Sequence, residues 1–124
     1  MRVRVGIVDS GINPDHPHVG QVMGGVFLYA EGESQDFVDR IGHGTAVAGV
    51  IREKAPAAEL YAVRIFDRRL ATNIDNLMRG LDWCLGHGIQ VVHEIRGASP
   101  NSPSGPEFLR VPARVACTGT LLRC

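Results

Sequence analysis

Two short stretches of the sequence carry side chains that could act together in acid–base chemistry. The stretch VGIVDSGI (residues 5–12) places Asp9 directly after an apolar run, and GHGTAVAG (residues 42–49) sets His43 between two glycines. A carboxylate that bonds one imidazole nitrogen fixes the tautomer of the ring, and it stabilises the imidazolium formed when the other nitrogen takes a proton. Asp9 and His43 are therefore the candidates for an orienting acid and a general base.

The residues around this pair predict alternating strands and helices. Apolar, β-branched runs predict strands at residues 3–8, 24–29, 58–66 and 89–92. Helical spacing predicts a helix at 43–54, with the apolar stripe Ala46, Val47, Val50 and Ile51. A second helix is predicted to be capped by Thr72, with Asp75 three residues later, and to end at Gly86 and Gly88. Its apolar stripe is Ile74, Leu77, Met78, Leu81, Cys84 and Leu85.

This order of elements predicts a parallel sheet with right-handed crossovers and a polar loop at residues 30–42. In an open parallel sheet, functional side chains gather at the carboxyl ends of the strands. Asp9 stands at such an end, and His43 stands at the start of the next helix.

Length and composition restrict the class of protein. The chain has 124 residues, enough for about one domain, and its 13 basic and 13 acidic residues give no net charge that would favour nucleic acid. No apolar run approaches the length of a membrane span, and the N-terminus does not resemble an export signal, so a cytoplasmic location is expected. Cys84, Cys117 and Cys124 lack metal-site spacing and are interpreted as free thiols in a reducing compartment.

The two motifs together resemble the first two catalytic motifs of the subtilisin-like serine proteases, the subtilases. The resemblance continues through APAAELYAVRIFD (residues 55–67) and GLDWCLGHGIQVV (80–92), and it covers roughly residues 3–92. It implies an α/β fold, the N-terminal part of a subtilisin-like parallel sheet with helices on both faces. It also implies peptide or protein substrates, no cofactor, and catalytic roles for Asp9 as orienting acid and His43 as general base and then general acid.

The sequence departs from the family after His93. HEIRG (residues 93–97) stands where a subtilase has a segment like N-x-S-L-G, and neither an oxyanion-hole Asn nor the nucleophile motif G-T-S-x-A-x-P follows. Residues 1–93 are therefore interpreted as a partial catalytic domain, and 94–124 as a divergent or frameshifted tail. Without the nucleophile serine we expect no peptide hydrolysis by this chain alone, and without the later strands we expect a marginal or aggregation-prone monomer.

Two further hypotheses about the function of these residues stay open. A non-catalytic relative of the proteases could capture extended peptides by strand addition. A zinc site could be built from Asp9, His16, His18 and His43, although no cysteine or H-x-x-x-H pair supports it. For the tail, a reading-frame shift and a natural truncated paralogue are both compatible with the sequence.

Overall fold

The computed structural model describes residues 2–68 and 72–94. Five strands and two helices follow one another along the chain. In order they are β1 (Arg4–Asp9), β2 (Val22–Tyr29), β3 (Gly32–Ser34), α1 (His43–Lys54), β4 (Glu59–Arg64), α2 (Ile74–Gly86) and β5 (Val91–Glu94). Glu94, the first residue of the predicted tail, is the last residue of β5, whereas residues 95–124, including Cys117 and Cys124, lie outside the described residues.

The strands form one sheet in the order β3-β2-β4-β1-β5. β1 lies between β4 and β5 and pairs in parallel with both, and β4 pairs in parallel with β2. The sheet is mixed, however, because β3 pairs antiparallel with β2. The prediction of a loop throughout residues 30–42 was thus wrong at β3, which has only three residues and no apolar alternation to reveal it.

The two helices cover opposite faces of the sheet, which confirms the expected layering. Alternate residues of a strand point to opposite faces, so Ile7 of β1 packs in the core cluster that includes Ala48 of α1. Its neighbour Val8 packs in the cluster that includes Leu77 and Leu81 of α2. β1 is therefore buried on both sides, as its continuous apolar run predicted.

Helix α1 has the predicted bounds but a different buried face. Gly44, Thr45 and Ala48 are buried, whereas Val50 of the predicted stripe is 53% exposed. Small residues form this contact because the helix lies close to the turn that follows β1. Apolar spacing alone could not distinguish that packing from a stripe of larger side chains.

The N-cap of helix α2 lies one residue later than predicted, at Asn73 instead of Thr72. The side chain of Asn73 accepts a hydrogen bond from Asn76 N at 2.8 Å and caps the helix, so the assignment of the cap to Thr72 was wrong. Asn73 has the extended backbone that an N-cap requires. Two members of the predicted stripe lie at the ends of the helix and are largely exposed, Ile74 by 52% and Leu85 by 44%.

Strand β5 is displaced from its predicted bounds of 89–92. Ile89 is buried in the core, but its N–H donates to Cys84 O at the end of α2. The ladder to β1 starts at Val91 and continues to Glu94. Ile89 is therefore a buried residue of the turn that precedes the strand, and not a residue of the strand itself.

Arg52 ties the end of α1 to the two segments beside it. Its guanidinium donates to four backbone carbonyls, those of Val19 (2.7 Å), Gln21 (2.7 Å), Pro56 (2.8 Å) and Ala58 (2.7 Å). Few other side chains could reach four acceptors, because guanidinium offers five donors in a rigid plane. One residue thus holds the loop before β2 and the turn before β4 against the helix.

Within residues 2–68 and 72–94, neither helix is long and apolar enough to cross a membrane.

Candidate active site

Asp9 is the last residue of β1 and is completely buried. Its Oδ1 accepts a hydrogen bond from Ser10 N at 2.6 Å. A buried carboxylate needs hydrogen bonds or an opposite charge to offset the loss of hydration. Asp9 is therefore held in place at the carboxyl end of a central strand, as the sheet prediction required.

His43 is the first residue of α1, and its Nδ1 lies 2.8 Å from Asp9 Oδ2. An ionised carboxylate can only accept a hydrogen bond, so the proton of this contact is assigned to Nδ1. The neutral imidazole then carries its lone pair on Nε2, and the side chain is 45% exposed. The structure thus brings the two predicted residues together in an arrangement suited to proton transfer at Nε2.

Two glycines allow the start of α1 to reach the turn after β1. A Cβ atom at Gly44 would lie only 2.0 Å from Gly11 O. Gly11 itself has a φ of 104°, a backbone conformation that residues with a Cβ rarely adopt. Glycine at both positions is therefore what lets the helix and the strand end approach closely enough for the Asp9–His43 hydrogen bond.

Asp39 forms a hydrogen-bond network beside the pair that sequence reasoning missed. Its carboxylate accepts hydrogen bonds from Ser10 Oγ (2.8 Å) and from the backbone N–H groups of Ile41 (2.8 Å), Gly42 (2.8 Å) and Thr45 (3.0 Å). Burial alone would raise its pKa, but the hydrogen bonds from Gly42, Thr45 and Ile41 outweigh burial and lower the pKa of Asp39. The available signal was an acidic residue shortly before a helix whose N-cap, Gly42, has no side chain.

His93 is a second imidazole close to the pair. It lies on β5 opposite Ile7 of β1, so the pleat places its side chain on the same face as Asp9. Burial lowers the pKa of His93, the charge of Asp9 opposes that shift, and the charge of His43 adds to it. From the sequence, His93 was identified only as the residue after which the chain departs from the family pattern. Its place on the same face of the sheet as Asp9 was not predicted.

Arg64 shares a row of the sheet with Asp9 but is satisfied elsewhere. The two residues are register partners at the ends of β4 and β1. The buried Arg64 guanidinium bonds the Asp67 carboxylate at 2.9 Å and lies 3.8 Å from the centre of the Phe27 ring. Its charge is therefore balanced by Asp67 and by Asp36, whose carboxylate lies 3.8 Å from the guanidinium, while Asp9 bonds His43.

The possible zinc ligands are not assembled into one site. His16 and His18 lie in the loop after β1, where their rings make an edge contact with centroids 5.4 Å apart and His18 N donates to His16 Nδ1. Among residues 2–68 and 72–94, no group of three or more histidine, cysteine, aspartate or glutamate residues could hold a metal ion. The described part of the chain thus gives the zinc hypothesis no ligand set.

Neither Cys84 nor the described serines provide a nucleophile. Cys84 is a free, buried thiol, and burial raises its pKa to about 12, which suppresses the reactive thiolate. Ser10 is completely buried, and its Oγ bonds Asp39 and Gly44 N. Ser34 Oγ accepts from Asp36 N in the turn after β3. The remaining serines, Ser99, Ser102 and Ser104, lie outside the described residues.

Comparison with known proteins agrees with the resemblance seen in the motifs. The sequence model of the subtilase family, Peptidase_S8, matches residues 2–97. The chain is 30% identical to the Minor extracellular protease Epr of Bacillus subtilis (strain 168) over 109 residues, which are 81% of the chain and 16% of that relative. It is also 30% identical to Subtilisin E of the same organism (81% of the chain, 28% of the relative). A Thermostable alkaline protease of Halalkalibacterium halodurans gives a similar match, at 30% identity over 80% of the chain and 29% of the relative.

These relatives correct one prediction. The expected cytoplasmic location is wrong, because the chain matches proteases that include one named as extracellular. That expectation used the lack of an export signal in these 124 residues, yet the chain spans less than a third of the length of each of these relatives. The matched residues carry the strand end of Asp9 and the helix start of His43. The family model covers more than half of the chain, and the protein therefore belongs to the subtilase family.

Proposed function

We propose that Asp9 and His43 are the acid–base half of a serine endopeptidase site that acts on peptides or proteins. The observation that carries this proposal is the 2.8 Å contact between Asp9 Oδ2 and His43 Nδ1. The carboxylate is buried and the imidazole is partly exposed, so one end of the pair is fixed and the other can meet a reacting group. The extracellular and alkaline proteases among the relatives support the same reaction class.

In the proposed reaction, His43 Nε2 accepts the proton of a serine hydroxyl as the serine oxygen attacks the peptide carbonyl carbon. The imidazolium that forms is stabilised by the Asp9 carboxylate across the Nδ1 hydrogen bond. His43 then donates that proton to the leaving amine, and the acyl-enzyme is hydrolysed by water with His43 again acting as base. Asp9 stays ionised and keeps the ring in the tautomer that the first step needs.

We further propose that these 124 residues do not carry out the reaction by themselves. The sequence contains no nucleophile motif of the form G-T-S-x-A, and the hydroxyl of Ser10 is buried in the hydrogen bonds described above. Loss of the serine from such a site leaves only the rate enhancement that the oxyanion hole and substrate binding supply. The segment that would bind substrate, residues 93–97, starts within β5 and reads HEIRG instead of the family pattern.

The test combines a serine-directed fluorophosphonate label with hydrolysis of a peptide ester. We expect no covalent adduct by intact-mass measurement and no hydrolysis above the background set by His43→Ala. Subtilisin E is the positive control. Ester turnover that disappears in His43→Ala would show that the chain has its own nucleophile and would refute the proposed inactivity.

One observation favours a second function, the capture of an extended peptide without hydrolysis. β5 is the last strand of the sheet order, and among the described residues only β1 pairs with it. The backbone groups on its other side could bond an added strand. Titration calorimetry with unstructured peptides would detect such binding, which we expect His43→Ala to retain. If no heat of binding is measured with a varied set of peptides, this second function is refuted.

The proposed division into residues 1–93 and a tail at 94–124 can be tested at the level of DNA. Resequencing the coding DNA from codon 88 onward and translating all three frames distinguishes the two explanations of the tail. Recovery of N-x-S-L-G and a later G-T-S-x-A in another frame would identify a frameshift product. If no frame restores them, the tail is encoded as it stands and peptide binding becomes the function to examine.

A further inference from the structure

We propose that Asp39 is a positioning residue, which holds the segment bearing His43 against the strand end bearing Asp9. The inference rests on the proposed function of that pair. Asp9 and His43 are 34 residues apart in the chain and belong to different elements. Their 2.8 Å contact requires something that fixes the start of α1 relative to the end of β1.

Toward α1, Asp39 supplies the cap that the helix itself lacks. The N-cap residue is Gly42, which offers no side-chain hydrogen bond, and the first turn contains no acidic residue. Asp39 Oδ2 accepts from both Thr45 N (3.0 Å) and Thr45 Oγ1 (2.6 Å), and Oδ1 accepts from Gly42 N (2.8 Å). A carboxylate at this end of a helix satisfies free N–H groups and interacts favourably with the helix dipole.

Toward β1, the same carboxylate reaches the residue next to Asp9. Asp39 Oδ1 accepts from Ser10 Oγ at 2.8 Å, and Ser10 Oγ in turn accepts from Gly44 N at 2.9 Å. Ser10 is completely buried, so water cannot replace these partners without opening the turn. The bonds form a continuous connection from the strand end, through Ser10 and Asp39, to the first turn of α1.

These contacts give Asp39 an indirect role. None of its hydrogen bonds goes to the side chain of Asp9 or His43, but its partners are Ser10, which follows Asp9, and Gly42, which precedes His43. Loss of Oδ2 as an acceptor would leave the two Thr45 donors unsatisfied. Loss of Oδ1 would leave the donors of Ser10, Ile41 and Gly42 unsatisfied. The start of α1 would then be less firmly placed, and the His43 ring would spend more time away from Asp9.

The experiment measures the His43–Asp9 hydrogen bond directly in the full 124-residue chain. In protein labelled with ¹⁵N-histidine, the Nδ1 proton of His43 is assigned by its disappearance in His43→Ala, and its exchange with water is measured by NMR. We expect Asp39→Asn to increase that exchange about tenfold, the effect of weakening one hydrogen bond of ordinary strength. Asp36→Asn is the matched control, because Asp36 lies in the same loop but its carboxylate pairs with the arginines Arg40 (3.1 Å) and Arg64 (3.8 Å).

Ser10→Ala provides a second test in case Asp39→Asn does not fold. It removes the connection to β1 and the acceptor of Gly44 N, but it leaves the hydrogen bonds from Gly42 and Thr45 to Asp39 in place. It should also increase the exchange of the His43 proton. Unchanged exchange in either folded variant would overturn the positioning role while the proposed function stands. Absence of the Nδ1 proton from the unaltered chain would instead contradict the Asp9–His43 pair and, with it, both proposals.

Discussion

A methyl group added at Gly44 tests whether close backbone contact between α1 and the turn after β1 maintains the site. The new Cβ would lie 2.0 Å from Gly11 O, whereas ordinary contact begins at 3.4 Å. The helix start and the turn would therefore have to separate by about 1.4 Å. Such a movement would lengthen the 2.8 Å contact between His43 and Asp9 to about 4 Å, which is beyond hydrogen-bonding distance.

The expected loss of stability follows from opposing terms. Overpacking costs about 1–3 kcal/mol, and loss of the Gly44–Ser10 and His43–Asp9 hydrogen bonds adds about 1 kcal/mol each. Replacing a helical glycine with alanine returns about 1 kcal/mol. We expect Gly44→Ala to lower the free energy of unfolding by roughly 2–4 kcal/mol.

Gly49→Ala is the matched control, because it places the same methyl group in the same helix. Its Cβ would lie 3.7 Å from His18 Cβ, an ordinary contact, so the variant should gain up to about 1 kcal/mol from helix propensity. Urea unfolding followed by circular dichroism gives both values. If Gly44→Ala unfolds at the same urea concentration as Gly49→Ala, the contact with Gly11 O does not constrain the helix and the argument fails.

Three further perturbations test other parts of the structure. Arg52→Ala should destabilise the fold by about 2–3 kcal/mol in urea unfolding, because two partly buried carbonyls lose a charged donor. Arg52→Lys should recover only part of this stability. An unchanged urea midpoint for Arg52→Ala would contradict the role of the guanidinium. In a variant that carries Cys117→Ser and Cys124→Ser, Cys84 should react with a thiol reagent only after urea unfolds the chain, since burial raises its pKa to about 12. Fast labelling of the folded chain would show that the thiol is accessible. The pKa of Asp39 in the folded chain lies below its ordinary value near 3.8, so the stabilisation by its carboxylate is present above pH 3.8 and is lost as the pH falls through the lower folded pKa. Asp39→Asn should therefore weaken the acid dependence of the urea midpoint. An equally steep dependence in the variant would exclude Asp39 as its source.

The fold and the position of the pair could be predicted because their signals are local. The apolar run before Asp9 indicates a buried strand, and glycines beside His43 mark a tight start to a helix. Both signals depend on a few consecutive residues, and the structure places both residues at the expected ends of their elements. Their catalytic roles stay predictions, which the experiments above address.

The features that sequence reasoning missed depend on contacts between distant residues. Asp39 bonds Ser10 across 29 positions of the chain, and no local pattern reports such a contact. Val50 has the spacing of a core residue but is exposed, because α1 approaches the sheet through its small residues. β3 is held by backbone pairing with β2. This pairing requires no particular pattern of polar and apolar side chains, so the sequence does not indicate the strand.

The strand order has a consequence for how the chain folds as it is synthesised. β1 and β2 are consecutive in sequence, yet β4 lies between them in the sheet. The register pairs Arg4 with Glu59 and Asp9 with Arg64, so β1 emerges from the ribosome long before its first partner strand. Contacts of such long sequence separation form slowly. The acid–base pair is therefore expected to mature only after translation has passed β4, so the nascent N-terminal strand needs protection from aggregation until then.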